Sequence, residues 1–267
     1  MNLSTLIRNA LYEPLVKNVS PDDPGLLALH KSVLKEKVIL RDTFLYFYKK
    51  MASCCDQYLQ TKGQEIELGS GAGFFKEIRP EVLTSDIRHS PDFDLSLDAQ
   101  NMKVNDGSVR CIYAINVFHH LPDPDKFFKE LKRVLASGGG CILIEPHGGP
   151  ASAALHRRMH KDEFFDPNTP EWTNYQINGP LSGANQALSH IVFSRDLDRF
   201  KRKYGRELEL VHREYCTNGL RYLLSGGLNF RQLVPNMLSP IVSSAERLMS
   251  PLSRFWSLHH VLVIRRR

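Results

Sequence analysis

Glu65-Ile66-Glu67-Leu68-Gly69-Ser70-Gly71-Ala72-Gly73 decides the fold of this chain. A short apolar run enters an acidic residue, and glycines follow at alternate positions. The pattern predicts a buried strand that turns sharply into a helix over residues 73–78. Gly69, Gly71 and Gly73 permit backbone angles that other residues resist. They also let a ligand lie against the main chain beside a helix N-terminus. The GxxxxGK[ST] of a phosphate loop is absent, and the last glycine of a GxGxxG fingerprint is replaced by Phe74. At this point a purely structural turn remains an alternative to a ligand cradle.

Outward from the turn, strands and helices alternate. Residues 82–85 read as a second strand ending at Asp86, nineteen residues after Glu67. An acid at the end of the second strand of a doubly wound sheet reaches the hydroxyls of a bound ribose; the competing role is a turn-capping aspartate. Residues 93–97 form a short extended segment followed by Asp98-Ala99. Residues 109–115 form a buried strand leading to Asn116-Val117-Phe118-His119-His120-Leu121-Pro122-Asp123-Pro124. Asp123 is placed to cap a helix that starts at Pro124. Phe127, Phe128, Leu131, Val134 and Leu135 give that helix its apolar face, and Ser137-Gly138-Gly139-Gly140 stops it. Residues 141–144 are the next strand, ended by Glu145-Pro146. The class is α/β.

The chain has 267 residues, enough for one large α/β domain with insertions. Its 42% apolar and 24% charged residues are ordinary globular values, and the net charge of +6 is mild. No basic stripe interleaved with aromatics is present, which argues against a nucleic-acid partner. Five cysteines without CxxC spacing read as free thiols in a reducing compartment. No signal-peptide pattern and no run of about 18 apolar residues is found, so no transmembrane segment is expected.

Residues 1–59 read as helices. Leu3, Ile7, Leu11 and Leu15 recur at helical spacing, residues 26–38 repeat the pattern, and Asp42 is placed to cap a third helix carrying Phe44, Phe47, Met51 and Tyr58. After Pro146 the alternation lapses. Ser194 is placed to cap a short basic helix running to Tyr204. Residues 207–213 and 256–264 read as strands, and residues 220–249 as an amphipathic stretch broken by Pro235 and Pro240.

In these positions and this order, the glycine turn, Asp86, Asp98-Ala99, the Asn116–Pro124 segment and Leu135-Ala136-Ser137-Gly138-Gly139 resemble the class I S-adenosylmethionine-dependent methyltransferases. The likeness is to their small-molecule branch, spans about residues 60–147 and leaves the rest of the chain outside it. It implies a Rossmann-like, doubly wound seven-stranded sheet with an antiparallel last strand. Residues 60–267 would form the methyltransferase domain, with lid insertions at about 147–193 and 215–255. Residues 1–59 would pack on that core or cover the site. The cofactor implied is S-adenosylmethionine. By the same resemblance, Gly69, Ser70, Gly71 and Gly73 would face its methionine part, and Glu67 would brace the turn or reach the amino group through water. Asp86 would hold the ribose hydroxyls, with Ile87 on the adenine face. Asp98 and Ala99 would read the adenine edge, and the backbone carbonyl of Asn116 would take the ammonium. The absence of a loop lysine suits a sulfonium ligand without phosphate.

Methyl transfer needs an aligned nucleophile and excluded water, and an oxygen nucleophile also needs a base. His147, His120 and His119, near the ends of the fourth and fifth strands, are the candidates. His156 and His160 are four apart with Asp162 and Glu163 nearby, but no metal is assigned to them. The expected activity is O-methylation of a small hydroxylated molecule: a sugar, a phenol or a lipid-linked glycan precursor. Small-molecule C- or N-methylation and a non-catalytic cofactor-binding module stay open. The Asn/Asp-Pro-Pro-Tyr signature of many macromolecular N-methylation sites is replaced by Asn116-Val117-Phe118-His119. Trp172, Tyr175, Tyr222, Phe230 and Phe255 would suit a ring-bearing or apolar substrate or fill the lid's own core. A cytoplasmic location is expected, with peripheral membrane contact through residues 220–249 as an option.

Overall fold

The computed structural model describes residues 9–159, 163–174, 176, 179 and 182–267. Seven strands form one sheet: β1 (Gln64–Leu68), β2 (Leu83–Asp86), β3 (Leu95–Ser96), β4 (Val109–Ile115), β5 (Leu135–Pro146), β6 (Leu208–Tyr215) and β7 (His259–Arg266). Their order is β3-β2-β1-β4-β5-β7-β6. Strands β1 to β5 pair in parallel, and β7 runs antiparallel between β5 and β6. The sequence of strands reverses direction between β1 and β4. In such sheets the crevice at the strands' carboxyl ends is the ligand position.

The central strands are apolar because both faces are covered. On one face Leu68, Ile112, Leu143 and Leu262 meet Phe127, Phe128, Phe193 and Phe200. On the other, Tyr113, Ile142, Ile144 and Val261 meet Phe47, Tyr48 and Met51. The helices are α1 (Leu26–Glu36), α2 (Val38–Tyr58), α3 (Pro124–Val134), α4 (Pro150–Met159), α5 (Leu197–Tyr204), α6 (Gly219–Ser225) and α7 (Ser239–Met249), with shorter helical turns between them. All five cysteines are buried free thiols. No described helix is long and apolar enough to cross a membrane.

Several boundaries differ from the sequence expectation. The glycine turn leads only into a 3-10 turn, Phe75–Glu77; Pro80 has no N–H to continue a helix. Helix α2 starts at Val38, a turn before Asp42, because Ile39 and Leu40 are fully buried. Helix α3 is capped by Asp123, which accepts from Asp125 and Lys126 N–H. The glycine run after α3 belongs to β5. A Cβ on Gly140 would meet the Ile264 carbonyl at 2.5 Å, so glycine there permits close strand approach. Ser194 does not cap α5. It lies in a π-turn, Ile191–Arg195, and the helix follows Asp196. Trp256 sits in a helical turn, and β7 begins at His259. Leu3 and Ile7 lie outside the described residues. Leu15 is exposed while Val16 is buried.

Candidate active site

A cavity of about 580 Å³ opens over the carboxyl ends of β1, β2 and β4, a size suited to a small-molecule site. Gly69, Ser70, Gly71 and Gly73 line it. Gly69 has φ +61°, and a Cβ there would meet Val117 Cγ2 at 2.5 Å. Both the angle and the contact therefore call for glycine. Ser70 N–H donates to the Ser85 carbonyl at 2.8 Å, tying the turn to β2. Glu67 is not in the cavity wall. It lies buried beneath the turn, and its Oε2 has no hydrogen-bond partner. Burial pushes its carboxyl up to about 7, with the Asp86 charge adding to the shift.

Asp86, Ile87, Asp98, Ala99 and Asn116 all reach the same cavity. The Asp86 carboxylate accepts from Gly71 N–H at 3.3 Å. It also accepts from Arg88, through the backbone N–H at 3.0 Å and the guanidinium Nε and Nη2 at 2.9 Å each. Sequence reasoning missed that guanidinium. Its signal was a basic residue two positions after the acid. Ile87 is 56% exposed, an apolar face turned outward. Asp98 accepts from Gln100 N–H at 2.8 Å. Asn116 is the only non-glycine among the described residues with positive φ, +55°, and its Oδ1 is buried without a partner. Such a residue costs about 1–3 kcal/mol and tends to persist at ligand sites.

The other end of the cavity carries His119, His120, His156, Glu163 and Gln186. Glu145, at the end of β5, organises it. Its Oε1 accepts from Val117 and Phe118 N–H at 2.8 Å each. Its Oε2 accepts from His119 N–H at 3.4 Å and meets His119 Nδ1 at 2.6 Å. With three backbone N–H groups aimed at it, Glu145 is the acceptor. His119 therefore donates through Nδ1 and turns the Nε2 lone pair outward. Burial lowers the His119 ring to about 3, so the imidazole is neutral near pH 7, and burial raises the Glu145 carboxyl to about 7. Glu163 lies 4.0 Å from His119 Nε2 and 3.6 Å from His120 Nε2. Gln186 donates its amide to Glu163 Oε2. Neither Glu145 nor Gln186 carried a role in the sequence reading. Glu145 had a signal, since it ends an apolar strand just as Glu67 does.

His147, the leading base candidate, is not brought to the cavity. Its N–H is tied to the Leu258 carbonyl at 2.9 Å, its ring packs 4.5 Å from Tyr215, and its Nε2 lies 3.3 Å from the Arg254 carbonyl. His160, Asp162 and Tyr175 lie outside the described residues. Of the aromatic candidates, Tyr222 and Phe230 line the cavity. Trp172 is core, donating to Asp196, and Phe255 is 60% exposed.

Residues 77–143, about a quarter of the chain, match the family described as a methyltransferase domain. Among solved structures, geranyl diphosphate C-methyltransferase from Streptomyces coelicolor A3(2), crystallised with Mg2+, geranyl diphosphate and S-adenosyl-L-homocysteine, is 15% identical. That match covers 82% of this chain and 78% of that one, with TM-score 0.48. A SAM-dependent methyltransferase from Archaeoglobus fulgidus is 12% identical over 84% and 94% of the two chains, with TM-score 0.44. Residues 77–143 belong to a methyltransferase domain, and with the sheet order and the glycine turn they make the chain an S-adenosylmethionine-dependent methyltransferase.

The residues fit that cofactor. The glycine cradle admits a chain against the backbone, Asp98 and, once the Arg88 guanidinium gives way, Asp86 offer acceptors for amine and hydroxyl groups, and the orphan Asn116 Oδ1 suits an ammonium.

Proposed function

We propose that the protein transfers the methyl group of S-adenosylmethionine to a hydroxyl oxygen of a small molecule, received where His119, His120 and Glu163 converge. The observation that carries this reading is the Glu145–His119 arrangement. It fixes a neutral imidazole, lone pair outward, in the wall of the same cavity as the glycine turn. The bound cofactor supplies a sulfonium-activated methyl group. Gly69–Gly73 and Asn116 hold its amino-acid end, Asp86 holds the ribose, and Ile87, Asp98 and Ala99 hold the adenine. The histidine end orients the hydroxyl, and the proton leaves from there to solvent. The oxygen pair then forms the new C–O bond while the S–C pair returns to sulfur, and alignment supplies much of the rate.

The substrate class we infer is a hydroxylated ring or sugar carried on an apolar group. Val16, Leu26, Leu40, Phe44, Leu228 and Phe230 give the cavity an apolar wall. Residues 227–230 of that wall belong to the segment holding most of the exposed large apolar side chains, among them Met237 (81%) and Leu248 (84%). A lipid-linked substrate met at a membrane surface accounts for both features. Helices α6 and α7 are themselves braced by Arg221, whose backbone N–H donates to Glu246 at 2.6 Å and whose guanidinium pairs with it. Of the exposed residues, Leu223, Ile241, Leu248 and Met249 are therefore presented by a fixed pair.

The test is a substrate screen with isotopically labelled S-adenosylmethionine over sugars, phenols and polyprenyl-linked glycans, each with and without anionic vesicles. Label recovered in a methyl ether supports the reading. Label recovered only on nitrogen or carbon would replace oxygen as the acceptor. Activity on soluble phenols alone, unaffected by vesicles, would remove the lipid-linked class.

A further inference from the structure

We infer that His119, His120 and Glu163 form a binding site for a divalent transition-metal ion, and that this ion receives the substrate hydroxyl. The inference deepens the proposed function and rests on it for the identity of the oxygen, though not for the site itself. One ligand atom from each residue lies within 4.8 Å of the other two. The closer separations from Glu163 are 3.6 Å to His120 Nε2 and 4.0 Å to His119 Nε2. Those gaps are too wide for hydrogen bonds. Ligands about 2.1 Å from one tetrahedral ion stand roughly 3.4 Å apart, so a small contraction would seat an ion between them.

The groups behind the ligands support the same reading. A metal-bound histidine commonly donates its second ring nitrogen to a carboxylate, which fixes the ring and raises its basicity. His119 Nδ1 does this toward Glu145 at 2.6 Å, and Glu145 is itself held by three backbone N–H groups. Glu163 is oriented in turn by the Gln186 amide, and Gln186 N–H donates to the Phe164 carbonyl at 2.9 Å, which fixes it beside the carboxylate. Three protein ligands from two imidazoles and one carboxylate leave a coordination position open, as in catalytic rather than structural sites. The nitrogen-rich set favours zinc, nickel, cobalt or iron over magnesium or calcium. The three residues line the cavity, so the open position faces the substrate.

The ion gives the hydroxyl a way to lose its proton without a free base. Coordination of R–OH lowers its pKa, as it does for bound water. The proton passes to solvent water, leaving an alkoxide or phenolate on the ion. That oxygen then attacks the methyl carbon, and the S–C electron pair goes to sulfur.

The experiment uses the full-length protein freed of metal with a chelator, then titrated with CoCl2 and with ZnCl2. Calorimetry gives stoichiometry, and the visible absorption of Co2+ reports coordination. One equivalent is expected. Glu163→Gln and His120→Asn should each weaken binding at least about 100-fold, and Glu145→Gln about 10–100-fold. His147→Ala, outside the cluster, should bind as the parent does. S-adenosylhomocysteine titration of every variant shows that the cofactor end is still folded. Absence of a stoichiometric ion at micromolar protein, or unchanged Co2+ binding in both ligand variants, overturns the inference. S-adenosylhomocysteine binding without ion binding would sink this inference alone. Ion binding lost in the variants, in a protein that fails to bind S-adenosylhomocysteine, would sink the cofactor reading and leave the ion site standing.

Discussion

The two ends of the cavity are built in different ways. The cofactor end is made of short segments, each within a few residues of a strand end, and backbone bonds hold them. Ser70 N–H reaches the Ser85 carbonyl at 2.8 Å, Leu97 N–H the Asp86 carbonyl at 3.0 Å, and Asn116 N–H the Ile144 carbonyl at 2.9 Å. The histidine end is held by side chains drawn from far apart in the chain: His119 on Glu145, and Glu163 on Gln186. A site of the first kind is set by the sheet and, apart from the glycines its turn requires, keeps its shape when one side chain changes. A site of the second kind depends on each member of its network.

The largest effect expected from that difference is in Glu145→Ala. It would strand the N–H groups of Val117, Phe118 and His119 around the position of a carboxylate that is itself fully buried. Each buried donor left without an acceptor costs about 1–3 kcal/mol. Chemical denaturation should show a loss of that order, with the midpoint falling and the slope unchanged. A loss under about 1 kcal/mol would mean that the network is not what holds this end.

Next comes Glu67, the buried acid under the glycine turn. Its folded-state pKa is raised from 4.5 to about 7, so the native protein keeps a proton that the unfolded chain has released. Stability therefore falls as pH rises from about 4.5 to about 7 and levels off above that. The span is worth roughly 3 kcal/mol. Glu67→Gln should flatten the pH dependence over that window and leave the variant more stable than the parent near pH 8. Parallel stability curves for parent and variant would show that Glu67 is already ionised in the folded protein.

The same contrast explains what could be read from the chain. The bounds of β4 and the Asp123 cap were legible because apolar patterning and cap chemistry are local. So was the line of Gly69, Asp86, Asp98 and Asn116, since each follows a strand that the pattern marks. The start of β5 was not legible. Glycines at 138–140 look like a helix stop, and only the proximity of β7 shows why they stand inside a strand. The choice among histidines was not legible either. His147 follows β5 directly, but its tie to Leu258 turns it toward β6 and Tyr215. Glu163 sits 43 residues from His120, and no spacing rule brings the two together.

A smaller effect is expected at Asp86. Asp86→Ala should weaken S-adenosylhomocysteine binding about 10- to 100-fold by calorimetry, the equivalent of roughly 1.4–3 kcal/mol. The fold should persist, because the backbone bonds around residues 85–97 do not use the side chain. Unchanged affinity would take Asp86 out of the site.

The smallest effect concerns the guanidinium beside it. Arg88 occupies both carboxylate oxygens of Asp86, and Gly71 N–H takes a further position on Oδ2. An ionised carboxylate offers about four acceptor positions, and all four are in use. Ribose hydroxyls can reach Asp86 only if the guanidinium gives way, and part of the cofactor's binding energy goes to displacing it. Arg88→Ala removes that competition while leaving the backbone N–H bonds in place. Binding should tighten several-fold, or up to about 1 kcal/mol for a partly exposed pair. Calorimetry on parent and variant at one ionic strength measures it. Weaker binding in Arg88→Ala would reverse the assignment. Arg88 would then be the brace that aims Asp86 at the ribose, and the cofactor end would depend on a side-chain network as the histidine end does.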